Sequence, residues 1–146
     1  MSDISRRTAR EWAVQMLTAA DLNPPDDVDG LIAEYWAQIS TLEDSDGVCT
    51  EVPAKYRAFA EERVKGVLSH LQEVDARLKA LMDNWDLYRL GTVERCVLRL
   101  GVWEMEFGGV PPPVVINECV DLSNWFSSPK SRSLINGVLD AISKRD

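Results

Sequence analysis

Arg6, Arg7 and Arg10 crowd the start of this chain. If the segment is helical, positions three and four apart are neighbours, and the three guanidinium groups fall within about one 100° sector of the surface. The chemistry open to such a face is a grip on phosphate, because a guanidinium presents several donors in a planar fork. The structural alternative is a solvated first turn with no partner. The helix macrodipole disfavours cations at this end, so the cluster carries a cost that a bound anion would relieve.

Other reactive residue types are sparse. His70 is the only histidine, and neither a cysteine nor a second histidine stands at ligand spacing from it, so it reads as a surface or interhelical residue. Cys49, Cys96 and Cys119 are odd in number and widely spaced. Cys96 and Cys119 fall in apolar helical registers, where a thiol serves as a small hydrophobe, and reduced thiols are expected. Glu104, Glu118 and Asp140 are acids in partly apolar registers; Glu104, Asn117 and Glu118 are expected to satisfy interhelical hydrogen bonds or cap neighbouring helices. The sequence shows no nucleophile with its base, no metal-ligand cluster and no glycine-rich phosphate loop. Catalysis, a cofactor and a metal are therefore not expected. The acids Glu43, Asp44, Asp46 and Glu51 miss the alternating pattern of a calcium loop and read as a solvated linker.

The elements that carry these residues are helical throughout. A first helix from about Ser5 to Ala20, capped by Ser2 or Ser5, has Ala9, Trp12, Ala13, Met16, Leu17 and Ala20 as its apolar stripe. Asn23-Pro24-Pro25 ends it, and Asp26 or Asp27 caps a second helix with Val28, Leu31, Ile32, Tyr35, Trp36 and Ile39 on one face. Thr41 to Val52 reads as a loop. Pro53 opens a third helix, with Tyr56, Phe59, Ala60, Val64, Val67, Leu68 and Leu71, continuing or bending through Val74, Leu78, Leu81 and Met82. Trp85, Leu87 and Leu90 form an irregular connection to a helix from about Val93 to Phe107, with Thr92 as its cap and Glu94 in its first turn. That helix is apolar on nearly all sides, which makes it central. Gly108-Gly109 ends it, and Pro111, Pro112 and Pro113 start another with Val115, Ile116, Cys119, Val120 and Phe126. After Ser128-Pro129 the last helix, capped by Ser131 or Ser133, carries Leu134, Ile135, Val138, Leu139 and Ile142, and Gly137 is expected where another helix approaches closely. Trp12, Trp36, Trp85, Trp103 and Trp125 read as core.

The fold class is thus all-α, about seven helices in two packed helical bundles. The 146 residues, 45% hydrophobic, suit one domain made of subdomains at about 1–72 and about 73–146. A net charge of −8 excludes a protein that coats nucleic acid by global positive charge, so any such contact must be a local patch. No stretch reaches the ~20 apolar residues of a membrane span and no apolar segment follows the N-terminal arginines. A cytoplasmic protein is expected.

Two blocks carry a family resemblance. Pro112, Val114 or Val115, Ile116, Asn117 and Glu118, followed by Leu134-Ile135-Asn136-Gly137-Val138-Leu139-Asp140, form one; VERCVLRLGVWEME from Val93 to Glu106 is the other. In this order they closely resemble the NusB family of bacterial transcription antitermination factors. The N-terminal segment with Arg6, Arg7, Arg10, Ala13, Val14, Gln15 and Leu17 is similar to the arginine-rich segment of that family. Asn23 to Pro53 matches only in its pattern of helices.

The resemblance implies a non-catalytic factor that binds single-stranded RNA of box A type, docks ribosomal protein NusE and works within an RNA polymerase antitermination complex. By carry-over, Arg6, Arg7 and Arg10 contact phosphates, and Glu94 with the loop before the last helix, containing Lys130, Arg132 and Leu134, lies beside the bases. The chain departs from relatives in Thr18 and Leu134, where some have aromatics whose stacking contributes ~1–3 kcal/mol per base, and in Lys130, where some have an acid. A structural homodimer that masks its arginine face is one alternative. An RNA-targeting module like the N-terminal domain of certain RNA methyltransferases is another, although no glycine-rich cofactor domain precedes Asp146.

Overall fold

A computed structural model of the chain describes residues 5–45, 52–81, 90–126 and 129–144. Among these residues there are seven helices and no strand: α1 (Arg6–Leu22), α2 (Val28–Ser45), α3 (Ala54–Ser69), α4 (Leu71–Leu81), α5 (Thr92–Glu106), α6 (Pro112–Phe126) and α7 (Pro129–Ser143). The architecture is all-α, as the apolar periodicity requires. Two compact units are present, Met1–Val64 and Lys65–Asp146, and the division falls inside α3. Ser2, Asp46, Cys49, Glu51, Met82, Trp85 and Leu87 lie outside the described residues, as do the side chains of Glu43, Asp44, Trp125 and Phe126.

Helix ends follow local chemistry. Ser5 caps α1: its side chain accepts from the Thr8 N–H at 3.3 Å, and Thr8 Oγ1 accepts from the Ser5 N–H at 3.5 Å, a reciprocal box at the helix entry. Asp27 caps α2 through its carboxylate on the Asp29 N–H at 3.1 Å. Contrary to the sequence reading, α2 runs on through Thr41 to Ser45, since no glycine or proline interrupts it before Gly47. Thr92 is not the cap of α5 but its first residue. The cap position is Gly91, whose N–H is taken by Glu94 Oε2 at 3.1 Å. Ser131 and Ser133 likewise lie inside α7, whose first residue is Pro129; a proline loses nothing there, because a first-turn N–H has no intrahelical partner. At the end of α5 the Phe107 and Gly108 N–H groups both donate to Trp103 O, and Gly109 turns the chain with φ 68°.

In the first unit, Ala9, Ala13, Met16 and Leu17 of α1, Ile32 and Trp36 of α2 and Ala60 and Val64 of α3 are buried. Trp36 meets Trp12 edge-on at 5.6 Å and Tyr35 at 5.4 Å, and the Arg57 guanidinium lies over its ring. In the second unit α5 packs against α4, α6 and α7, and α6 against α7, which explains its all-round apolarity. Leu98, Leu100, Val102, Val115, Cys119, Leu122, Ile135 and Leu139 fill that core, and Cys96 is buried with them.

The close-approach glycine is not Gly137, which is exposed with nothing within 4 Å of a notional Cβ. Gly101 has that role, with Leu139 Cδ2 at 2.9 Å and Cys119 Sγ at 3.1 Å from the position a Cβ would take, and Gly66 has it against the Trp103 ring. α3 and α4 are separated by a single turn at His70, whose Nδ1 lies 2.9 Å from Gly66 O and whose ring stacks on Phe107 at 4.2 Å.

Candidate nucleic-acid interface

The α1 arginines do not share one environment. Arg6 and Arg7 are exposed, whereas Arg10 is 3% exposed with its guanidinium 5.2 Å from the Phe59 ring centre. Arg63, also buried, covers the same ring at 3.4 Å and donates to Phe59 O. Phe59 therefore faces two cations, Arg10 and Arg63.

Along α1, Glu11 and Gln15 follow Arg7 at steps of four residues and extend its stripe. Gln15 is exposed, and its Oε1 accepts from the Tyr35 hydroxyl of α2 at 2.6 Å. Burial, and secondarily the charge of Glu11, push the Tyr35 phenol above its usual range, so it remains a donor. Glu11 is half-buried; desolvation raises its carboxyl above the ordinary carboxylate value, against an opposing pull from Arg7. Thr18, one turn beyond Val14, turns its hydroxyl inward to donate to Val14 O at 2.7 Å.

Glu94, Lys130 and Arg132 belong to the second unit. Glu94 is held by the cap of its own helix. Lys130 and Arg132 stand in the first turn of α7 rather than in a loop; Lys130 is exposed, and Arg132 and Leu134 are half-buried. Two cations at a helix N-terminus again oppose the macrodipole. Among the described residues no group of three or more His, Cys, Asp or Glu side chains could hold a metal, and no helix is long and apolar enough to cross a membrane.

The sequence profile of the NusB family matches residues 7–144. The chain belongs to the NusB family. A transcription antitermination protein NusB from a Nitratiruptor species is 37% identical over 140 residues, covering 96% of this chain and 92% of the relative. Among solved structures, NusB of T. maritima is similar with a TM-score of 0.82 at 23% identity, covering 99% of this chain and 94% of that one. A crystal structure of the antitermination factors NusB and NusE in complex with dsRNA is similar with a TM-score of 0.76 at 28% identity, over 97% of each chain.

Sequence reasoning placed Tyr35 and Phe59 in apolar stripes and did not single out Asp75; what it missed are pairings with another helix: Tyr35 on Gln15, Phe59 under Arg10, and Asp75 on Arg99. No spacing within one helix signals these pairings. On α6 and α7, Asn117 is exposed instead of serving the interior, and lines an open groove of about 360 Å³ with Ile116, Val120, Asn136 and Asp140. Glu104 is fully buried and Glu118 half-buried.

Proposed function

We propose that this chain is a non-catalytic transcription antitermination factor that binds box A-type RNA, docks ribosomal protein NusE and acts in the cytoplasm within an RNA polymerase antitermination complex. The observation that carries this reading is its likeness, over nearly the whole of both chains, to a NusB solved together with NusE and RNA. Arg6 and Arg7 supply exposed donors for phosphates, which position an RNA strand without reading it. Arg10 braces the same helix from beneath, over Phe59. Lys130 and Arg132 add phosphate contacts from α7, and Glu94 contributes through the turn of α5 that it caps. With a net charge of −8, such local clusters are what an acidic protein offers to a polyanion.

The test is binding of a box A RNA, single-stranded and as a duplex, with and without NusE, across a series of salt concentrations. The proposal expects tighter binding by the two proteins together than by either alone, and a salt slope that becomes shallower when Arg6, Arg7 and Arg10 are all replaced by alanine. Unchanged affinity and slope for that triple variant would remove the α1 arginines from the interface.

A further inference from the structure

We propose that Glu11 and Gln15 form a donor–acceptor subsite for one ribonucleotide beside Arg7, with Tyr35 as the positioning residue that holds the Gln15 amide. The inference deepens the RNA-binding reading and rests on it. The three α1 residues lie on one stripe, and each four-residue step rises about 6 Å along the helix, so a phosphate held at Arg7 leaves its nucleoside within reach of the next two turns.

The chemistry of the subsite follows from which hydrogen-bonding capacity is already used. Tyr35 occupies the Gln15 carbonyl at 2.6 Å, which leaves the amide N–H groups of this exposed residue as its donors. Glu11 is half-buried one turn from Arg7, whose charge offsets only part of its burial, and it offers only acceptor oxygens when ionised. The rise in its carboxyl from burial agrees with a charge that has given up water and is only partly compensated by Arg7. A phosphate is refused by the Glu11 charge. A group with a donor beside an acceptor satisfies both side chains: the 2′-hydroxyl of ribose, or the Watson–Crick edge of a base, where uracil and guanine set a carbonyl beside an N–H and cytosine and adenine set an amine beside a ring nitrogen. Tyr35 meets Trp36 edge-on through its ring, so its hydroxyl can be removed while that packing is kept.

The experiment measures binding of single-stranded box A RNA in the presence of NusE, for the full chain and its Gln15→Ala, Tyr35→Phe and doubly substituted forms. Gln15→Ala, an exposed change, is expected to weaken binding by about three- to tenfold, the loss of one or two hydrogen bonds, with an unchanged salt slope because no phosphate contact goes with it. Tyr35→Phe should weaken binding less, and should add nothing once Gln15 is alanine. Two series of RNAs then identify the ligand group. In one, single positions carry 2′-deoxyribose; in the other, single uracils become cytosine or guanines become adenine. The substitution that abolishes the difference between the unaltered chain and Gln15→Ala names the contacted group. The subsite is overturned if Gln15→Ala binds as the unaltered chain does, if the Tyr35→Phe loss persists in full without Gln15, or if no RNA substitution masks the Gln15→Ala loss. Absence of binding by the unaltered chain would instead overturn the RNA-binding reading, and the subsite with it.

Discussion

Arg99 of α5 holds Asp75 of α4 in a two-point pair, Nε to Oδ1 at 2.8 Å and Nη2 to Oδ2 at 2.9 Å, with both residues buried. The planar fork matches the carboxylate, so the pair aligns the two helices as well as neutralising two charges. Removing one partner strands the other charge away from water. Asp75→Ala should lower the unfolding free energy by about 3–5 kcal/mol, read from urea denaturation, while Asp75→Ala combined with Arg99→Met should recover much of the loss. A double variant no better than the single one would show that the buried charge is not the source.

The glycines separate by what a methyl group would meet. At Gly66 it would overlap the Trp103 ring at 2.2 Å, and at Gly101 it would press on Leu139 and Cys119. Gly66→Ala should destabilise by about 1–3 kcal/mol or more, the range for overpacking, with Gly101→Ala milder because the Leu139 tip can shift. Gly137→Ala should leave stability unchanged or raise it by up to about 1 kcal/mol, as alanine favours an exposed helix position. Thermal unfolding of the three variants checks the order.

Arg7 and Arg10 should part company under mutation. Arg7→Ala is expected to weaken RNA binding and to make the slope of log affinity against log salt shallower by up to ~0.7 per lost phosphate contact on a single strand, with little change in thermal midpoint. Arg10→Ala should lower the midpoint, because it removes one of the two cations over Phe59, a contact of about 0.5–2 kcal/mol. Equal midpoints for the two variants would contradict the buried placement of Arg10.

Glu11 gives a pH dependence of opposite sign to a paired carboxylate. Its folded-state pKa is raised, so the stability it allows is fully present below the ordinary value of 4.5 and declines as pH rises through the folded value. Glu11→Gln should therefore be more stable than the unaltered chain at neutral pH, and the gap should close as pH falls towards that value. Because Arg7 partly offsets the desolvation, the gap should widen when Arg7 is alanine. Thermal midpoints of the four combinations across an acid-to-neutral series measure it.

By itself the sequence determined the helical class, the placing of six helical segments to within a turn or so at most ends, the centrality of α5 and the family, while the third segment, read as continuing or bending, divides into α3 and α4 at His70. Each of these is written in local periodicity, in prolines, in capping residues or in contiguous motifs. It also marked the arginine stripe on α1, since a three- and four-residue spacing is a surface property of any helix. Only the tertiary structure decided which arginine of that stripe stays in solvent, because burial of Arg10 depends on Phe59 arriving from α3. It decided equally that Gly101 and Gly66, not Gly137, are the points of close approach, and that Tyr35 holds Gln15 and Asp75 holds Arg99. These are pairings between residues far apart in the chain, and no local pattern encodes which helix will face which; that follows only when each apolar stripe finds its neighbour and carries its polar side chains into contact.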